Sequence, residues 1–124
     1  MSVSEAIRRA EVLLPGEPAP DGEIDPRWQA IIAIGEYIET EPEAVWRFVQ
    51  KWGLHPQEDL RMAVATCLLE HLLGQHFQAF FPRVRDLALA HPLFAQTVLY
   101  CWTCGQAEHP ANAKKLDSLK RRLM

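Results

Sequence analysis

Residues 58–77 read EDLRMAVATCLLEHLLGQHF, from Glu58 to Phe77. At 100° per residue, Val64, Ala65, Leu68 and Leu72 fall on one side of a helix, with Thr66 and Glu70 on the other. Arg61 lies inside the apolar arc, and His71 borders it. The stretch therefore reads as a helix with one buried face that carries a buried arginine. Whether its polar residues form a site or only serve packing depends on what the remainder of the chain does.

The same three-and-four spacing of apolar residues runs through most of the 124 residues, and no period-2 stretch of β-branched residues is bounded by hairpin turns. The chain reads as all-α. Pro26, Pro42, Pro56, Pro92 and Pro110 stand near helix starts, where the missing N–H of proline would have no partner in any case. The expected helices are Val3 to Leu14, Pro26 to Glu39, Pro42 to Trp52, Gln57 to Leu73, Gln75 to Ala90, Pro92 to Cys104 and Ala111 to Leu123. Pro82 should kink or split the fifth of these. The segment PGEPAPDGE, Pro15 to Glu23, is the one linker, dividing an N-terminal helix and linker (residues 1–24) from a helical domain (25–124).

Sliding the chain against itself reveals a repeat. At an offset of about 34, DPRWQAIIAIGEYI from Asp25 overlies DLRMAVATCLLEHL from Asp59, matching Arg27 with Arg61, Ile34 with Leu68, Glu36 with Glu70 and Ile38 with Leu72. Trp46 then overlies Phe80. A fainter third copy sets Val98 over Val64 and Cys101 over Cys67, with Ala95 in the arginine position. The period suggests tetratricopeptide repeats, but Gly35 and Tyr37 stand at the wrong distances from Trp28 for that family's pattern. The D-x-R start followed by small apolar residues, carried by Asp25, Arg27, Asp59 and Arg61, instead resembles the first helix of HEAT-type repeats. The resemblance covers roughly Asp25 to Cys104. It implies a short right-handed α-solenoid of about three antiparallel helix pairs behind an N-terminal helix. Ile31, Ile34, Ile38, Val64, Leu68, Leu72 and Val98 are the expected core.

A buried guanidinium requires acceptors. Arg27 and Arg61 are expected to join first-turn aspartates in an inter-repeat ladder; the alternative is a ligand carboxylate or phosphate held by Arg61. Thr66, Glu70 and Glu36 are expected on a solvated face. His71 and His76 are five apart, the wrong spacing for two metal ligands on one helical face. Cys101 and Cys104 form a C-x-x-C pair at an expected helix end closed by Gly105, where the helix dipole opposes thiolate. They read as core cysteines, since Cys101 repeats Cys67, and neither metal nor any other cofactor is expected. Trp28, Trp46, Trp52, Phe80, Phe81 and Trp102 read as packing between repeats.

Net charge is −3 with a pI near 5.9, which gives no global basic field for nucleic acid or an anionic membrane. Three cysteines, an odd number in a chain of this size, do not make a disulfide framework, and the N-terminal residues have the form of neither signal peptide nor membrane span. The expected location is cytoplasmic, with no membrane contact. Within this acidic chain the second helix of each pair is basic: Arg47 and Lys51 in one, Arg83 and Arg85 in the next, then Lys114, Lys115, Lys120, Arg121 and Arg122. Lys51 and Arg85 match at the repeat offset, so Arg47, Lys51, Arg83 and Arg85 are the candidate partner-binding residues. With no catalytic constellation in view, the expected function is a non-catalytic protein–protein interaction module. The alternative is a nucleic-acid-binding protein, because HEAT-like repeats also build DNA alkylation repair glycosylases.

Overall fold

A computed structural model describes residues 1–124, and it is helical throughout, with no strand. α1 (Val3–Leu13) begins at Ser2, whose side chain accepts the Glu5 N–H at 3.1 Å, and it turns Val3, Ala6 and Ala10 inward. α2 (Pro26–Gly35) begins at Asp25, whose carboxylate accepts the Arg27 N–H at 2.9 Å, with proline in the first turn. α3 (Pro42–Trp52) buries Val45, Trp46, Phe48, Val49 and Trp52. Next comes one rod in three parts: α4 (Glu58–Val64), a π-helical segment (Ala65–Leu69) and α5 (Glu70–Gln75). α6 (Phe77–Ala90), α7 (Pro92–Leu99), a 3-10 turn (Gly105–Glu108) and α8 (Pro110–Leu123) complete the chain. No helix is long and apolar enough to cross a membrane.

Some expectations about helix limits need correction, beginning with α2, which ends at Gly35 rather than Glu39. α6 is not split at Pro82: the helix runs through it, with Phe77, Phe80, Phe81, Val84 and Ala88 buried on one side while Pro82 itself is exposed. The carbonyl that proline leaves without a donor belongs to Gln78, also exposed, where water can satisfy it. α7 stops at Leu99 rather than Cys104. Tyr100 and Cys101 bond back only three residues, to Thr97 and Val98, and the next N–H, from Trp102, turns away to the Glu70 carboxylate at 3.1 Å. The C-x-x-C pair therefore spans a loop, and Cys104 caps the 3-10 turn.

α1 packs on α2 and α3, α2 on α4 and the π segment, α4 on α7, and α6 on α5, α7 and α8. All seven expected core residues are fully buried, at 1% exposure or less. They belong to one apolar cluster that also takes in Val3, Ala6, Ala10 and Leu14, so α1 shares the core of the domain beyond the linker.

The arginine ladder forms at one rung and changes character at the other. Arg27, 2% exposed, meets Asp25 at 2.9 Å, bonds Asp59 of α4, and reaches Gln57 at 3.3 Å and the Gly16 carbonyl at 3.4 Å. Trp28 donates its indole N–H to Asp59 at 3.3 Å. Arg61 is equally buried but meets no carboxylate. It donates to the His55 and Pro56 carbonyls at 2.8 and 2.9 Å and to the Gln96 amide oxygen at 2.8 Å. Its terminal nitrogens are engaged inside the protein and are not offered to a ligand. Arg61→Met is expected to cost about 1–3 kcal/mol, the price of orphaned carbonyls, with no change in acid sensitivity because no carboxylate loses a partner. Urea unfolding at neutral and acid pH checks both parts.

Candidate functional site

α8 carries Leu116 and Leu119 inward, which leaves Ala111, Lys115, Ser118 and Arg122 along one outer row and Lys114 beside it. On α6 the row Phe77, Phe81, Arg85 faces them, flanked by Gln78 and Pro82. Together these residues enclose a groove of about 540 Å³. Its floor is apolar: Phe77 and Phe81 are stacked with ring centroids 4.9 Å apart, and Leu119 closes the far side. Its rim carries Arg85, Lys114, Lys115 and Arg122, and no acidic residue lines it. Arg85 bonds Asp86 at 3.0 Å, whereas Lys114, Lys115 and Arg122 make no salt bridge.

Polar contacts hold the two walls at a fixed separation. The Gln78 amide donates to Asn112 at 3.3 Å, Asn112 donates to the Gln106 carbonyl at 2.9 Å, and the Gln106 side chain accepts the Phe77 N–H at 2.9 Å. These bonds tie the start of α6 to the start of α8 through the 3-10 turn.

The four residues singled out from the sequence have different surroundings. Arg85 reaches the groove. Arg47 and Lys51 line a separate depression between α1 and α3 with Arg8 and Glu11, and Lys51 is paired with Glu11. Arg83 bonds Glu43 of α3 at 2.7 Å and lies over the Phe80 ring, so that Glu43 is held below the usual carboxylate range by this hydrogen bond. The groove's other cations were legible as basic positions of the last helix, but nothing in the sequence set them opposite Phe77 and Phe81.

The remaining polar residues also separate. Cys101 is buried, its thiol directed at the Ala65 and Thr97 carbonyls, and burial pushes its pKa well up. Burial likewise raises Cys67, and Cys104 too, where Glu70 adds to the effect. Glu70 does not stand on a solvated face: its side chain is only 12% exposed, because the loop after α7 covers it. Glu36 is exposed as expected. Trp102, expected to pack between repeats, is 75% exposed. Trp46 is buried, its ring 5.9 Å from Phe80 of α6 and 6.1 Å from Phe94 of α7. His76 bonds the Ile38 carbonyl at 2.9 Å, while His71 faces Glu70 and, across the loop, Cys104.

Comparison with known protein families, with curated proteins and with solved structures finds no match for this chain.

Proposed function

We propose that this chain is a non-catalytic interaction module, a short right-handed α-solenoid of HEAT-like repeats that receives an acidic amphipathic segment of a partner protein in the groove between α6 and α8. The observation that carries the reading is the groove's composition: a rim of four cations without a single acid, over a floor of buried aromatic and aliphatic side chains. A helix laid in such a groove would bury its apolar face on Phe77, Phe81 and Leu119 and set carboxylates against Lys114, Lys115 and Arg122.

The repeat reading draws support from contacts that recur about one period apart. Side-chain bonds join Arg27 to Asp59, Arg61 to Gln96, Cys104 to Glu70 and Gln78 to Asn112, at separations of 32, 35, 34 and 34 residues. Neighbouring copies in a stack of repeats make contacts at this interval. Partner binding along the second helices would then centre on α6 and α8.

The nucleic-acid alternative needs a continuous basic path across α3, α6 and α8. Lys51 and Arg83 are engaged with Glu11 and Glu43, which interrupts that path and favours the protein partner. The test is fluorescence anisotropy with a labelled acidic amphipathic helical peptide and, in parallel, labelled duplex DNA. Lys114→Glu combined with Lys115→Glu is expected to weaken peptide binding about tenfold or more with the helical circular-dichroism signal intact, since exposed charges contribute little to folding. Unchanged peptide affinity in the double variant would overturn the reading. Tighter binding of duplex, with a steep loss on adding salt, would replace it by the nucleic-acid alternative.

A further inference from the structure

Glu70, His71 and Cys104 converge, although the sequence gives no hint of it. One ligand atom from each lies within 4.8 Å of the other two. The Glu70 carboxylate oxygen is 3.8 Å from His71 Nε2, longer than a hydrogen bond. In tetrahedral zinc sites, bonds of about 2.0–2.3 Å set neighbouring donor atoms roughly 3.3–3.7 Å apart. Small side-chain rotations therefore bring all three donors into range of one ion.

The place is built by backbone as well as side chains. A Cβ at Gly105, where φ is +56°, would lie 2.5 Å from the Gly74 carbonyl oxygen, and a Cβ at Gly74 would meet Cys104 Sγ at 3.2 Å. The two glycines let the loop after α7 lie flat on α5, and this sets the Cys104 thiol over the turn that begins at Glu70. The loop is pinned by the Trp102 N–H on one Glu70 carboxylate oxygen and by Lys120, which donates to the Cys101 carbonyl. The other Glu70 oxygen faces His71. Glu70 itself directly follows the π-helical segment, a feature that is rare in helices and frequent at functional sites.

We propose that Glu70, His71 and Cys104 bind one zinc ion, with its fourth position open to water. Thiolate, imidazole and carboxylate together suit a borderline-soft ion, whereas a single carboxylate is a poor site for magnesium or calcium. His71 is exposed and Cys104 is only part-buried, so the ion has a path in from solvent. The C-x-x-C pair contributes only Cys104, because Cys101 points into the core.

Cobalt(II) serves as the probe, titrated into full-length protein stripped by chelator. The expected result is one equivalent bound with the intense visible bands of tetrahedral cobalt and a near-ultraviolet thiolate-to-cobalt band, all displaced by added zinc, with the exposed Trp102 fluorescence quenched as cobalt enters. Cys104→Ser and His71→Ala should each abolish the thiolate spectrum or the tetrahedral bands, and Cys67→Ser should leave both. His71 is exposed, so its replacement leaves the fold intact and the test stands even where a Cys104 variant folds poorly. A weak octahedral spectrum in the unmodified protein, or tetrahedral bands that survive both His71→Ala and Cys104→Ser, would overturn the assignment.

Discussion

Arg27→Ala is expected to cost about 3–5 kcal/mol of folding stability, because it leaves the Asp25 and Asp59 carboxylates facing each other without the cation that holds them. Asp25 is the more buried of the two, its side chain 15% exposed. The loss is also pH-dependent. Hydrogen bonding by Arg27 keeps the Asp25 carboxyl below its ordinary range, so the stability it confers is present above the unfolded-state pKa of about 3.9 and disappears as pH falls through the lower folded value. The difference between Arg27→Ala and the unmodified protein should therefore shrink in acid. Urea midpoints at neutral pH and at about pH 3 measure it. A difference that stays constant would place the effect in lost packing rather than in the ion pairs.

Gly105→Ala is expected to be the second large effect, about 2–4 kcal/mol, because a methyl group would be driven against the Gly74 carbonyl in a backbone conformation that already disfavours any side chain. Gly22 supplies an internal control. It also has positive φ, at +85°, yet a Cβ there meets nothing within 4 Å. Gly22→Ala should accordingly cost only the conformational term, about 1 kcal/mol. Thermal melts of the two variants separate the contribution of backbone contact from that of dihedral preference. Similar losses in both would mean that the approach of Gly105 to Gly74 is not required for stability.

The parts legible in the sequence are those recorded by local periodicity. Ile31, Ile34, Ile38, Val64, Leu68, Leu72 and Val98 are buried because a helix with one apolar face has one way to lie on its neighbours, and proline marked where those helices begin. Arg27 was legible for the same reason: a cation within an apolar arc must find an anion nearby, and Asp25 and Asp59 were the nearest. Arg61 finds acceptors for its two terminal nitrogens, though none for its buried Nε, and not from the expected partner, since backbone carbonyls leave no mark in a sequence and Gln96 stands far along the chain.

The rest depends on where distant segments cross. A π-helical segment shifts the angular register of everything after it without a distinctive residue type, so Glu70 and His71 could not be placed from a regular helical wheel. That Glu70 is covered while Trp102 is exposed follows from the path of one loop, which two glycines 31 residues apart permit. The groove is likewise a product of juxtaposition: Lys114 and Lys115 read as solvated charges until α8 is laid beside Phe77 and Phe81.

Amide chemical-shift mapping of the full chain, titrated with an acidic amphipathic helical peptide, tests the binding surface most directly. The expected result is a set of saturable shifts confined to the two walls of the groove, at Gln78, Arg85, Lys115 and Ser118, with α2 and α4 silent. Shifts that instead gather around Glu36 and Thr66, or a spectrum that does not move at saturating peptide, would contradict it.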